Sequence, residues 1–169
     1  MECYIETKES ITKNQQKEDV CVLNYEDEVL RAFGESAPVH VVWFSSVRKL
    51  AEGFYLDGEE IFYAHDGNTE KVINVNDLNL LGRHNYENVM AATAMSVNFG
   101  VPMEKIVEVL KRFQAVEHRI EYVTEKRGVR FYNDSKGTNP DAAIQGIRAM
   151  NRPTLLIGGG YDKQSTYDE

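Results

Sequence analysis

Apolar residues along the chain fall into two kinds of run. Val20-Cys21-Val22-Leu23 and Val39-His40-Val41-Val42-Trp43-Phe44 are short, and rich in β-branched and aromatic side chains. Such runs predict buried strands, the first ending at Asn24. Phe54-Tyr55-Leu56, Ile61-Phe62-Tyr63 and Val72-Ile73-Asn74-Val75 predict three more. Between these, Asp57-Gly58 and Asp66-Gly67 read as hairpin turns, where glycine takes a positive φ without strain. The second kind of run has helical spacing. Asn85 to Asn98 carries Val89, Met90, Ala92, Met95 and Val97 and stops before Gly100. Pro102 to Phe113 opens with a proline whose missing N–H costs nothing in a first turn, and places Ile106, Val107, Leu110 and Phe113 on one face. Glu2 to Lys17 predicts a polar helix, and Glu26 to Phe33 a short one closed by Gly34 as a helix stop.

After Arg119 a second β-α-β pattern begins. Ile120 to Thr124 and Val129 to Tyr132 predict paired strands across Arg127-Gly128, followed by a helix from Asn139 to Met150. Thr154 to Ile157 predicts a further strand running into Gly158-Gly159-Gly160. The fold class expected is α/β, with a boundary near Ala115 separating parts of two domains, residues 1–115 and 116–169.

Composition narrows the function. A formal charge of -8 argues against a general nucleic-acid binder, whose affinity rests on clustered Lys and Arg. It leaves room for a nucleotide site built from a few cations and backbone amides. No apolar run reaches the roughly 20 residues that span a bilayer. Cys3 and Cys21 form no CxxC pair, and Met1 to Lys17 lacks the apolar core of a targeting peptide. A cytoplasmic protein with reduced thiols is expected, without nucleic-acid or membrane partners. The four histidines, His40, His65, His84 and His118, show no zinc-ligand spacing.

Four short segments carry candidate chemistry. Asn133-Asp134-Ser135-Lys136-Gly137-Thr138-Asn139 lies between a strand and a helix, where open α/β folds bind ligands. There Asp134 suits ribose hydroxyls, Lys136 a phosphate or carboxylate, and Thr138 a donated hydrogen bond. The same segment also reads as a helix cap, through Thr138 or Asn139, with solvated neighbours. His84-Asn85-Tyr86-Glu87-Asn88 opens a helix. Asn85 is either its N-cap or, with Asn88, a reader of a purine edge, since an amide both donates and accepts. In Glu117-His118-Arg119, at the domain junction, Arg119 suits a carboxylate across the interface or a transferring phosphate. Gly158, Gly160 and Lys163 follow the last strand but match neither GxGxxG nor GxxxxGK[ST], a sequence absent from the whole chain.

In order, HNxxN, EHRxE, NDSKxTN and GGxDK resemble the Mur ligases, most densely from Leu81 to Asp168. NDSKGTN is similar to the branch that adds D-glutamate, with Gly137 where the family usually has alanine. The resemblance implies the second half of a central ATPase domain followed by the first part of a Rossmann-like C-terminal domain. Its phosphate loop and the remaining N- and C-terminal parts of the enzyme would lie outside this sequence. The activity implied is ATP-dependent ligation of D-glutamate to UDP-N-acetylmuramoyl-L-alanine in peptidoglycan synthesis. The alternatives are a related Mur or folylpolyglutamate-type ligase segment, or a nucleotide-binding module without catalysis.

By the same resemblance, Asn85 and Asn88 contact adenine, Asp134 the ribose and Arg119 the phosphates. Lys136, Thr138 and Lys163 surround the D-glutamate carboxylates and the phosphate in transfer, with Arg119 and Lys136 as the catalytic residues. Tyr4-Ile5-Glu6-Thr7-Lys8 resembles the segment whose lysine is carbamylated, which makes Lys8 a Mg²⁺ ligand.

Overall fold

A computed structural model describes residues 2–161. The chain runs α1 (Glu2–Glu9), β1 (Val20–Asn24), α2 (Glu28–Ser36), β2 (His40–Ser45), β3 (Gly53–Asp57), β4 (Glu60–His65) and β5 (Asn68–Asn74). It continues α3 (Arg83–Asn98), α4 (Met103–Arg112), β6 (Glu121–Lys126), β7 (Val129–Asn133) and α5 (Pro140–Arg148). The first five strands form one sheet in sequence order. β1, β2 and β3 are parallel, and β4 and β5 return antiparallel.

Strand parity sorts the core into two layers, because successive side chains point to opposite faces of a sheet. Val20, Val22, Val42 and Phe44 point to one face, where Phe54, Ile61, Ile73, Val89, Met90 and Ala94 complete the main core. Cys21, Leu23, Val41 and Trp43 point to the other, against Leu30 and Phe33 of α2. Both faces of the parallel strands are therefore covered. This explains why their sequence reads as continuous apolar runs rather than alternation.

The hairpins follow the expected chemistry. Asp66 and Gly67 both have positive φ, as do Arg127 and Gly128 in the β6–β7 turn, the pattern of tight two-residue hairpins. Asp27 caps α2 by accepting from the N–H groups of Val29 and Leu30. β6 and β7 pair only with each other.

Three expectations fail. The N-terminal helix ends at Glu9, followed by a 3-10 turn at Ser10–Thr12, and does not reach Lys17. Gly34 does not stop α2, which runs through it to Ser36. Its role is close approach: a Cβ there would lie 2.4 Å from Cη2 of Trp43. The missing side chain lets the helix settle onto the indole. Residues 154–157 form no strand, and Leu155, Leu156 and Ile157 are 88%, 65% and 90% exposed. An extended segment needs a partner edge to satisfy its backbone, and neither described sheet pairs with it.

Gly34→Ala tests the close-approach reading. Helix propensity alone would add about 0.5–1 kcal/mol, whereas overpacking costs about 1–3 kcal/mol. Urea unfolding should show a loss of about 1 kcal/mol. A gain would mean that Trp43 moves aside freely.

Candidate functional site

The site gathers around the first turn of α3. Gly82, just before the helix, has φ +92°. A Cβ on it would stand 2.6 Å from Cβ of Ala149 and 3.0 Å from Cε1 of His84. Only glycine allows the end of α5 to reach the start of α3 here. On the sheet side, the Ser46 hydroxyl donates to the Glu87 carboxylate. That bond fastens the same turn to the loop after β2, at the strand edge where α/β folds bind ligands.

Asn85 does not cap the helix as one reading expected. It lies inside the first turn, buried, and its amide nitrogen donates to the Leu81 carbonyl at 2.7 Å. Gly82 occupies the cap position without a side-chain bond. Asn88, one turn on, is exposed.

The Asn133–Asn139 loop wraps against the segment carrying Arg119. Asp134 Oδ1 accepts from the Ile120 N–H at 3.0 Å, and the Lys136 N–H donates to the His118 carbonyl at 2.9 Å. Asp134 Oδ2 is pressed against α5, where a Cβ on Gly146 would approach it to 2.5 Å. Asn139, not Thr138, caps α5, accepting from the Ala142 N–H at 2.8 Å. Lys136, Thr138 and Arg119 are exposed, and Asp134 is half-buried.

A groove of about 500 Å³ opens between α3 and α5, lined by Arg83, His84, Glu87, Gln145, Arg148 and Ala149. Sequence reasoning gave none of these six a role. Arg148 and Gln145 sit on an ordinary amphipathic helix with no local motif, and His84 stands out only as part of HNxxN. Yet His84 connects the three segments electrostatically. Burial, and after it the positive charge of Arg119, hold its imidazole below the ordinary value, against weaker pulls from Glu87 and Asp134. Its Nδ1 is buried without a hydrogen-bond partner.

Lys8 lies apart, exposed in the last turn of α1 with its ammonium 5.4 Å from the centre of the Tyr4 ring. Lys163 falls outside the described residues. Among the described residues no three His, Cys, Asp or Glu side chains gather as metal ligands.

The profile of the Mur ligase middle domain matches residues 1–96, more than half of the chain. The chain belongs to the Mur ligase family. Among relatives, the UDP-N-acetylmuramoylalanine--D-glutamate ligase of Lachnoclostridium phytofermentans is 57% identical over all 169 residues. The protein of the same name from Lachnospira eligens is 58% identical over 168. The chain spans 37% of the length of each. Solved Mur ligases share the fold at lower identity. The UDP-N-acetylmuramoylalanyl-D-glutamyl-2,6-diaminopimelate--D-alanyl-D-alanyl ligase of Acinetobacter baumannii superposes with TM-score 0.65 at 21% identity, over 87% of this chain and 33% of its own. A pseudomurein peptide ligase type C of Methanothermus fervidus gives 0.58 at 20%, over 86% and 36%.

The His84 environment predicts a pH effect on this Mur ligase segment. As pH falls through about 6.5 the unfolded imidazole takes up a proton, which the folded one resists. The unfolded state then binds more protons, so stability drops as pH falls and levels off once the folded imidazole also protonates. The melting temperature should therefore fall less between about pH 7.5 and about pH 5.5 in His84→Gln than in the parent chain. An equal fall in both would refute the assignment.

Proposed function

We propose that this chain is the nucleotide- and amino-acid-binding part of a ligase that joins D-glutamate to UDP-N-acetylmuramoyl-L-alanine at the expense of ATP. One observation carries the reading: the Asp134–Lys136 loop is hydrogen-bonded to the Arg119 segment, and α5, against which Asp134 packs at Gly146, closes onto the start of α3 at Gly82. Relatives that are 57% and 58% identical and carry that enzyme's name support the same substrates. On this reading residues 1–115 belong to the central domain and 116–169 to the C-terminal one.

ATP supplies the phosphoryl group that activates the substrate carboxylate for attack by the amine of D-glutamate. Each residue then has a distinct task. Asn88, exposed one turn along α3, and Asn85, whose amide nitrogen is held by Leu81, offer amide oxygens to a purine edge. Asp134 accepts from ribose hydroxyls through lone pairs not used on Ile120. Arg119 stabilises the charge that develops on the transferring phosphoryl oxygens. Lys136, Thr138 and Lys163 bind the glutamate carboxylates and so orient its amine.

Mg²⁺ would be held here mainly through the ATP phosphates, with Lys8 as a ligand only in carbamylated form. Among the described residues no three His, Cys, Asp or Glu side chains gather, and Lys8 is exposed beside Tyr4.

A hybrid tests the proposal, with these 169 residues replacing the matching segment of the Lachnoclostridium phytofermentans relative. It should form UDP-N-acetylmuramoyl-L-alanyl-D-glutamate in an ATP-dependent manner, while the 169-residue chain alone forms none. A folded hybrid that accepts another amino acid in preference to D-glutamate would disprove the substrate assignment. In the active hybrid, Lys136→Ala should raise KM for D-glutamate roughly tenfold to a hundredfold, the loss of one charge-assisted hydrogen bond. KM for ATP should change much less, and equal rises for both substrates would place Lys136 elsewhere.

A further inference from the structure

Four non-glycine residues among those described have positive φ: Asp66, His118, Ile120 and Arg127. Asp66 and Arg127 occupy tight hairpin turns, where that conformation is ordinary. His118 (φ +68°) and Ile120 (φ +47°) do not. They flank Arg119 on either side. A β-branched residue in this region is a genuine outlier, because Cβ crowds the following carbonyl. Such a conformation persists only where the surroundings over-determine it.

Here the surroundings do. The His118 N–H donates to Glu121 Oε2 at 2.8 Å and the Arg119 N–H to the Val116 carbonyl at 3.0 Å. The Ile120 N–H donates to Asp134, and the His118 carbonyl accepts from the Lys136 N–H. The Ile120 side chain is buried. Closing the ring, the Asn133 amide nitrogen lies 2.8 Å from Nδ1 of His118. Its orientation is fixed from the other side, because Asn133 Oδ1 accepts from the Ser135 N–H at 3.1 Å. The amide nitrogen therefore donates to Nδ1 of His118, beside the Glu121 carboxylate, whose Oε2 lies 3.5 Å from the same ring nitrogen. Four backbone groups, the His118 N–H and carbonyl and the N–H groups of Arg119 and Ile120, are held, while the Arg119 side chain is left exposed.

We infer that Asn133 and His118 are positioning residues. Their hydrogen bond locks two strained residues around Arg119 and fixes the direction from which its guanidinium meets the transferring phosphoryl group. This rests on the role of Arg119 proposed above. Locking the backbone beforehand removes the ordering cost that a flexible arginine would meet on reaching the transition state.

Two measurements test it. In the 169-residue chain, NMR should show left-handed backbone shifts at His118 and Ile120. In Asn133→Ala those shifts should move toward ordinary values, and the amides of Ile120 and Lys136 should exchange roughly tenfold faster, as for one lost hydrogen bond. Unchanged shifts and exchange would overturn the lock. His118→Gly provides a variant that folds readily, since glycine accepts positive φ; it should loosen the same amides.

In the hybrid, Arg119→Ala should lower kcat/KM for ATP by roughly tenfold to a hundredfold, and Asn133→Ala by roughly threefold to tenfold. The double variant should match Arg119→Ala alone, because a residue acting through Arg119 has nothing further to lose. Multiplying losses would overturn the inference and leave the role of Arg119 standing. A silent Arg119→Ala would remove that role and the inference with it.

Discussion

The bond between the Asp134 carboxylate and the Ile120 N–H holds the site together, because it joins two loops that are otherwise separate in sequence. One loop enters α5 and the other carries Arg119. Asp134 lies close against Gly146 on the helix side and accepts from Ile120 on the other. A larger residue at position 146 would push the carboxylate away and part the loops. A carboxylate accepting a backbone N–H in a half-buried place makes a charge-assisted bond stronger than a neutral one. It is suited to bearing the strain stored at Ile120.

The remaining framework serves to bring α3 to the same point. The parity of β1 and β2 covers the sheet on both faces, α3 lies over the main core through Val89, Met90 and Ala94, and Ser46 fastens its first turn. Gly82 then removes the one side chain that would keep α5 away. Backbone geometry, more than any single functional side chain, decides where Arg119, Asp134 and His84 lie relative to each other. Two solved ligase structures share this fold even at 20–21% identity, where a fold can persist after most side chains have changed.

Much of this was legible in the sequence. The strands of the main sheet announced themselves because a strand covered on both faces must be apolar at consecutive positions. The turns did so because Asp-Gly and Arg-Gly pairs supply the required φ. Gly34 misled because a helix-stopping glycine and one that makes room for an indole look identical until Trp43 is placed beside it. Asn85 misled in the same way: local spacing allowed a cap, but burial turned its amide back onto Leu81. Residues 154–157 have the composition of a strand and lack a partner edge. The strain at His118 and Ile120 left no local signal, since it arises largely from contacts with residues 14 to 18 positions away, between 120 and 134, 118 and 133, and 118 and 136. The groove residues of α5 were equally hidden, because only the docking of that helix gives Gln145 and Arg148 a site to line.

The central claim is that α5 closes onto the first turn of α3. The most direct measurement is the nuclear Overhauser contacts of the Ala149 methyl group in the 169-residue chain in solution. The packing of Gly82 and Ala149 calls for strong contacts from that methyl to the Gly82 α-protons. An Ala149 methyl with contacts only inside α5 would contradict it, and would part the Asp134 loop from the start of α3.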